Sequence, residues 1–135
     1  MFKGSIPAVI TPFDKNRSID YDKLNKHIDF LIDQQSHGLV SCGTTGESPT
    51  LDHDEHKKIT EVIIKRSNKK VPIMAGCGSN STKESIELVK HAKSAGANAS
   101  LLVSPYYNKP SQGGLFQHFS EIANSVPSLP IYLYN

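Results

Sequence analysis

Two adjacent threonines set between glycines, Gly43-Thr44-Thr45-Gly46-Glu47, are the part of this 135-residue chain best suited to chemistry. They follow a short apolar run, residues 38–42. At the carboxyl end of a strand, backbone N–H groups and two hydroxyls can together hold a small carboxylate. A tight turn in which Thr44 and Thr45 bond only local backbone fits the same spacing, and spacing alone leaves both open. Tyr132 and Tyr134 alternate with Ile131 and Leu133, so both phenols face one side of a strand, with Tyr134 nearer its end. A phenol there shuttles a proton if a second hydroxyl or a negative group tunes it. It serves equally as an amphipathic aromatic that packs its ring. Tyr106-Tyr107 carries the same ambiguity, with interface packing as the alternative.

The remaining reactive side chains are less organised. Among six histidines, His53 and His56 stand three apart on one helical face, but no third ligand follows at a zinc spacing. They read as solvated polar residues on a helix's first turn, and no metal site is expected. Cys42 and Cys77 end apolar runs and read as small buried side chains. A nucleophilic thiol needs a paired base that the pattern does not identify. No lysine lies within an apolar run, where desolvation would lower its pKa.

These groups need a scaffold that gathers them, and the rhythm of the chain supplies one. Short apolar runs at residues 5–11, 38–42, 71–76, 99–104 and 130–134 read as buried parallel strands. Their starts recur at about 30 residues, the size of a βαβ unit. Between them lie four amphipathic segments. Asp20 caps the first, with the stripe Tyr21, Leu24, Ile28, Leu31 and Ile32. Asp52 with Glu55 resembles a capping box, and Ser81 with Glu84 a cleaner one. The fourth carries Leu115, Phe116, Phe119, Ile122, Ala123 and Val126. Five strands alternating with four helices predict an α/β fold with a parallel sheet. A doubly wound sheet would place a glycine fingerprint after the first run, where Thr11-Pro12-Phe13-Asp14 stands instead. A (β/α)8 barrel places polar residues after several strands, as at 43–47, 76–80 and 105–110, although a complete barrel takes about 250 residues.

Composition narrows the function. Fifteen Lys and Arg against thirteen Asp and Glu are spread along the chain, which leaves no electrostatic footprint for nucleic acid. No apolar run approaches the roughly 20 residues of a membrane span, and the first residues carry no signal-peptide apolar region. Two cysteines make no disulfide framework. The expectation is a cytoplasmic protein with reduced thiols that binds neither nucleic acid nor membrane.

Together these segments resemble the dihydrodipicolinate synthases, of the pyruvate-dependent class I aldolase superfamily. The resemblance spans essentially the whole chain. It is carried by Gly4-Ser5-Ile6, Thr11-Pro12-Phe13, Gly43-Thr44-Thr45-Gly46-Glu47-Ser48, Leu51-Asp52-His53-Asp54-Glu55-His56, Tyr106-Tyr107-Asn108-Lys109-Pro110-Ser111-Gln112 and Leu133-Tyr134-Asn135. Sialic-acid lyases carry a near variant of the threonine segment, and the Tyr106 segment favours the synthase. The resemblance implies a (β/α)8 TIM barrel, of which residues 1–135 cover the first four βα units and the fifth strand as part of one domain. It implies a lysine Schiff base with pyruvate, whose enamine attacks aspartate semialdehyde on the route to diaminopimelate and lysine, with no metal or diffusible cofactor. Thr45 matches the residue that holds the pyruvate carboxylate and Thr44 a member of a proton relay. Tyr134 matches the tyrosine that shuttles protons, and Tyr107 the relay tyrosine contributed across a dimer interface. Ser48, His53, His56, Asn80, Glu84 and Tyr106 match positions that bind lysine as a feedback inhibitor, and Pro49 departs from the small residue of some lysine-sensitive members. The implied assembly is a homotetramer built as a dimer of dimers. The Schiff-base lysine lies on the sixth strand, beyond Asn135, so the 135 residues alone are expected to be inactive. A sialic-acid or keto-deoxy-sugar lyase, and a catalytically dead remnant, are the competing readings.

Overall fold

Four helices begin where a side-chain oxygen meets backbone N–H groups that have no partner within the helix. The computed structural model describes residues 2–135. Helix α1 (Tyr21–Asp33) starts at Asp20, whose carboxylate accepts from the Lys23 N–H at 2.9 Å. Helix α2 (His53–Ser67) starts at a complete capping box, Asp52 accepting from the Glu55 N–H at 2.8 Å and Glu55 from the Asp52 N–H at 3.0 Å. Ser81 caps α3 (Thr82–Ala95) and Ser111 caps α4 (Gln112–Ser125). The α3 cap is only half the expected box. Ser81 accepts from the Glu84 N–H at 3.3 Å, but the Glu84 carboxylate takes the Ser79 hydroxyl instead of the Ser81 N–H.

The strands are β1 (Leu39–Ser41), β2 (Ile73–Gly76), β3 (Ala99–Val103) and β4 (Ile131–Tyr134). All pair in parallel in the order β1-β2-β3-β4. The expected first strand is a correction. Residues 5–11 lie beside β1 through a single parallel bridge, Ala8 to Val40, with the Val9 N–H donating to the Val40 carbonyl and the Val40 N–H to the Pro7 carbonyl, both at 2.9 Å. Pro7 has no N–H to donate to β1, and Cys42 leaves the extended region at φ 48° just past Ser41, so the ladder stops on both sides.

Every strand neighbours its successor, and the helices cover one face. This is the winding of a barrel, without the order reversal of a doubly wound sheet. Under α1 and α2, the fully buried Leu24, Ile28, Ile59 and Ile63 pack on Leu39 and Ile73. Under α3 and α4, Leu88, Val89, Ala92 and Ile122 pack on Ala75 and Leu102. Burying each such aliphatic side chain contributes about 2 kcal/mol. The opposite face holds a smaller cluster of Val40, Met74 and Ala99, which the register places side by side, roofed by Phe2, Ile6 and Tyr132. Phe2 and Tyr132 meet edge to face. Phe116 departs from the expected apolar stripe and is exposed on α4, as is Leu133 on β4. The sheet thus presents its inner face and all its carboxyl ends to one rim.

Candidate active site

The threonine segment forms a 3-10 turn, Thr44–Gly46, followed by a second, Ser48–Thr50. Backbone bonds close the first turn, from the Gly46 N–H to the Gly43 carbonyl and from the Glu47 N–H to the Thr44 carbonyl, both at 3.0 Å. The buried Thr11 hydroxyl donates to the Gly46 carbonyl at 2.7 Å and ties the turn to the first apolar run. The turn therefore holds without the hydroxyls of Thr44 and Thr45, which stay exposed. Non-glycine residues in the left-handed region flank it, Cys42 at φ 48° and Glu47 at φ 57°. Each such conformation costs on the order of 1 kcal/mol, and the surrounding bonds hold both.

A cavity of about 380 Å³ opens at the carboxyl ends of the strands. Thr44 and Tyr134, from segments far apart in sequence, both line it, beside Ser48, Ser104 and Tyr106. Tyr134 sits at the end of β4, where its carbonyl accepts from the Ser104 N–H at 2.9 Å. Among the described residues no lining side chain is charged. Burial pushes the Cys42 thiol up to about 12, so the one thiol in the wall stays protonated and is a poor nucleophile. Thr45 lies on the same turn but outside the lining. Tyr107 is 96% exposed, with φ at 70°, and also lies outside. A larger groove of about 600 Å³ runs along the flanks of α1 and α2, away from the strand ends, where Arg66 pairs with Asp29.

Two lining glycines have a packing role that their place in the polar 76–80 segment does not reveal. A Cβ at Gly76 would stand 2.4 Å from the Cys42 carbonyl oxygen, and one at Gly78 would stand 2.4 Å from the Val103 nitrogen. The backbones of β1, β2 and β3 approach too closely there for any side chain. Only the Gly76-Cys77-Gly78 spacing after a predicted strand hinted at this.

A second cavity of about 210 Å³ shares Ser48, Pro49, Gly78 and Tyr106 with the first as a common wall. His53, His56, Ser79 and Glu84 line its other sides. Asn80 braces it from outside the lining. Its Oδ1 accepts from the Tyr106 N–H at 2.8 Å and its Nδ2 donates to the Tyr106 carbonyl at 3.2 Å. The six residues singled out as a group in the sequence therefore converge here. His56 is a correction: it is buried rather than solvated, because its turn of α2 packs against the sheet end.

Burial pulls the His56 pKa from an ordinary 6.5 down to about 4. His118 is pulled the same way by burial. Its Nδ1 shares a hydrogen bond with the Thr82 hydroxyl at 2.9 Å, and its buried Nε2 has no partner among the described residues. Between pH 6.5 and 4 the unfolded chain takes a proton at His56 that the folded chain refuses, so stability is lost as pH falls through that window. The loss is about 3 kcal/mol. Urea midpoints at pH 7 and pH 4.5 check this, and His56→Gln is expected to flatten the difference.

Among the described residues no helix is long and apolar enough to cross a membrane, and no group of three or more His, Cys, Asp or Glu is placed to hold a metal. The family model of the dihydrodipicolinate synthetase family matches residues 1–135. The 4-hydroxy-tetrahydrodipicolinate synthase of Rhizobium meliloti is 58% identical over 135 residues, all of this chain and 46% of the relative. The chain thus spans about half the length of the curated relatives it matches. A chloride-inhibited dihydrodipicolinate synthase from Acinetobacter baumannii, complexed with pyruvate, superposes with a TM-score of 0.97 at 49% identity, covering 100% of this chain and 46% of that one. The enzyme from Cyanidioschyzon merolae with lysine bound matches at a TM-score of 0.95 and 40% identity, covering 99% of this chain and 46% of that one.

Proposed function

Because the chain belongs to the dihydrodipicolinate synthetase family, we propose that it forms the N-terminal half of a 4-hydroxy-tetrahydrodipicolinate synthase that condenses pyruvate with aspartate semialdehyde. One observation carries the reading. Thr44 and Tyr134 share an uncharged cavity at the strand ends, in a fold matched at a TM-score of 0.97 by a pyruvate-complexed synthase.

In this reading the reactive amine is a lysine on the sixth strand, past residue 135. A cavity without charged side chains favours its neutral, nucleophilic form, because desolvation penalises an ammonium. The amine adds to the pyruvate ketone, and the oxygen must leave as water, so a proton has to reach it. The Tyr134 phenol delivers that proton and recovers it through the Thr44 hydroxyl and a Tyr107 phenol from a neighbouring subunit. Hydroxyls in series pass a proton without any strongly shifted group. The full exposure of Tyr107 suits a residue that completes another copy's site. The Thr45 hydroxyl, on the turn beside the cavity, and the Thr44 and Thr45 N–H groups, which do not close that turn, hold the pyruvate carboxylate. The enamine then attacks the aldehyde, and cyclisation follows. The enzyme works in the cytoplasm as a homotetramer, and lysine binds in the smaller cavity as feedback inhibitor, Glu84 pairing with its ammonium group while Tyr106 and Asn80 hold its carboxylate end.

Borohydride trapping with pyruvate tests the chemistry. The completed enzyme, continued through its sixth strand, is expected to gain the mass of reduced pyruvate, and the 135-residue chain alone is expected to gain none. Labelling of the short chain would place the nucleophile within it and overturn this account. Turnover with aspartate semialdehyde against sugar-derived aldehydes separates the synthase from a sugar-acid lyase. Calorimetric titration with lysine is expected to show saturable binding, and its absence would remove the inhibitor site.

A further inference from the structure

The cap of α3 departs from its sequence pattern in a way that shapes the smaller cavity. Ser81 and Glu84 should close a reciprocal box, as Asp52 and Glu55 do on α2. Instead the Ser79 hydroxyl stands between them. It donates to Glu84 Oε2 at 2.6 Å and accepts from the Ser81 N–H at 3.1 Å. Ser79 is itself anchored, its N–H donating at 2.9 Å to the hydroxyl of fully buried Ser85. The Glu84 carboxylate is thereby held off the helix end on the side of His53, whose Nε2 lies 4.0 Å from the same oxygen. Ser79 and Glu84 both line the cavity of about 210 Å³.

We propose that Ser79 is a positioning residue of this cavity, holding the Glu84 carboxylate toward a ligand's ammonium group instead of leaving it to cap α3. The proposal rests on the reading of the cavity as an amine-binding site. Its physical content is a competition for one carboxylate. A short hydrogen bond to a charged acceptor is among the stronger ones available, and here it occupies Oε2 and leaves Oε1 for the ligand. Without the Ser79 hydroxyl, Glu84 can close the box on the Ser81 N–H. The helix end stays satisfied while the ligand loses its counter-charge.

Calorimetric titration of the completed enzyme with L-lysine tests this. Ser79→Ala is expected to weaken binding about tenfold, the worth of one hydrogen bond to a charged group. Ser79→Thr, which keeps the hydroxyl, is expected to stay within about twofold of the wild type on the same scale. In a Glu84→Gln background, Ser79→Ala should change affinity less than about twofold, because its effect passes through that carboxylate. Wild-type binding with Ser79→Ala unchanged overturns the positioning role alone. An equal loss in both backgrounds also overturns it, since it would mean that Ser79 acts without Glu84. A wild-type enzyme that binds no lysine overturns the cavity reading and this proposal together.

Discussion

Replacing Tyr134 by Phe in the completed enzyme is expected to lower kcat by about 10² to 10⁴-fold, the range for losing a positioned proton donor. The ring keeps its place at the end of β4, because the bonds there run from Ser104 to the Tyr134 carbonyl and do not involve the phenol. Pyruvate binding should therefore change little, and the loss should appear in kcat. Borohydride trapping should still reach completion, only more slowly. Thr44→Val should show the same pattern with a smaller loss, because a water can replace one hydroxyl in a relay more readily than the group that touches the substrate. If Tyr134→Phe turns over at the wild-type rate, the phenol carries no proton and the relay reading fails.

The second large effect falls on backbone spacing. Gly76→Ala places a Cβ 2.4 Å from the Cys42 carbonyl oxygen and 2.8 Å from that of Ser41, and neither of these backbone atoms can rotate away. Forcing β1 and β2 apart is expected to lower stability by about 3 kcal/mol, the upper part of the usual range for overpacking. The damage reaches function, because the Thr44–Gly46 turn leaves β1 directly after Cys42. A misplacement of about 1 Å there is expected to lower kcat/KM about 10²-fold. Urea unfolding and steady-state kinetics on the same protein measure both losses. A Gly43→Ala control should be mild, since its Cβ would meet only Val40 and Ala8 side chains, at 3.6 and 3.8 Å.

Much of this architecture was legible before any coordinates. Asp20, Asp52 and Ser81 are short acceptors placed ahead of apolar periodicity, and capping acts within one turn of chain, so three of the four helix starts follow from local chemistry, while the Ser111 cap of α4 emerges only in the structure. The alternating runs likewise dictated a parallel sheet. Where local reading failed, a distant or competing partner decided. Residues 5–11 look like a strand by apolar content, yet Pro7 on one side and the left-handed Cys42 on the other leave one bridge to Val40. Ser81 and Glu84 look like a box, yet Ser79 takes the carboxylate. His56 sits on a first turn that should be wet, yet that turn meets the sheet end and is buried.

Residue order alone assigns the hydroxyl, phenol and carboxylate chemistry to particular elements, because periodicity and capping depend on neighbours within a few residues. Which of them meet is set by the packed fold. It put Thr44 and Tyr134 into one cavity, left Thr45 and Tyr107 outside it, and joined that cavity to the smaller one through Ser48 and Tyr106. Such meetings depend on how closely β1, β2 and β3 can approach, which Gly76 and Gly78 set through contacts with residues remote in sequence. No local pattern encodes that distance.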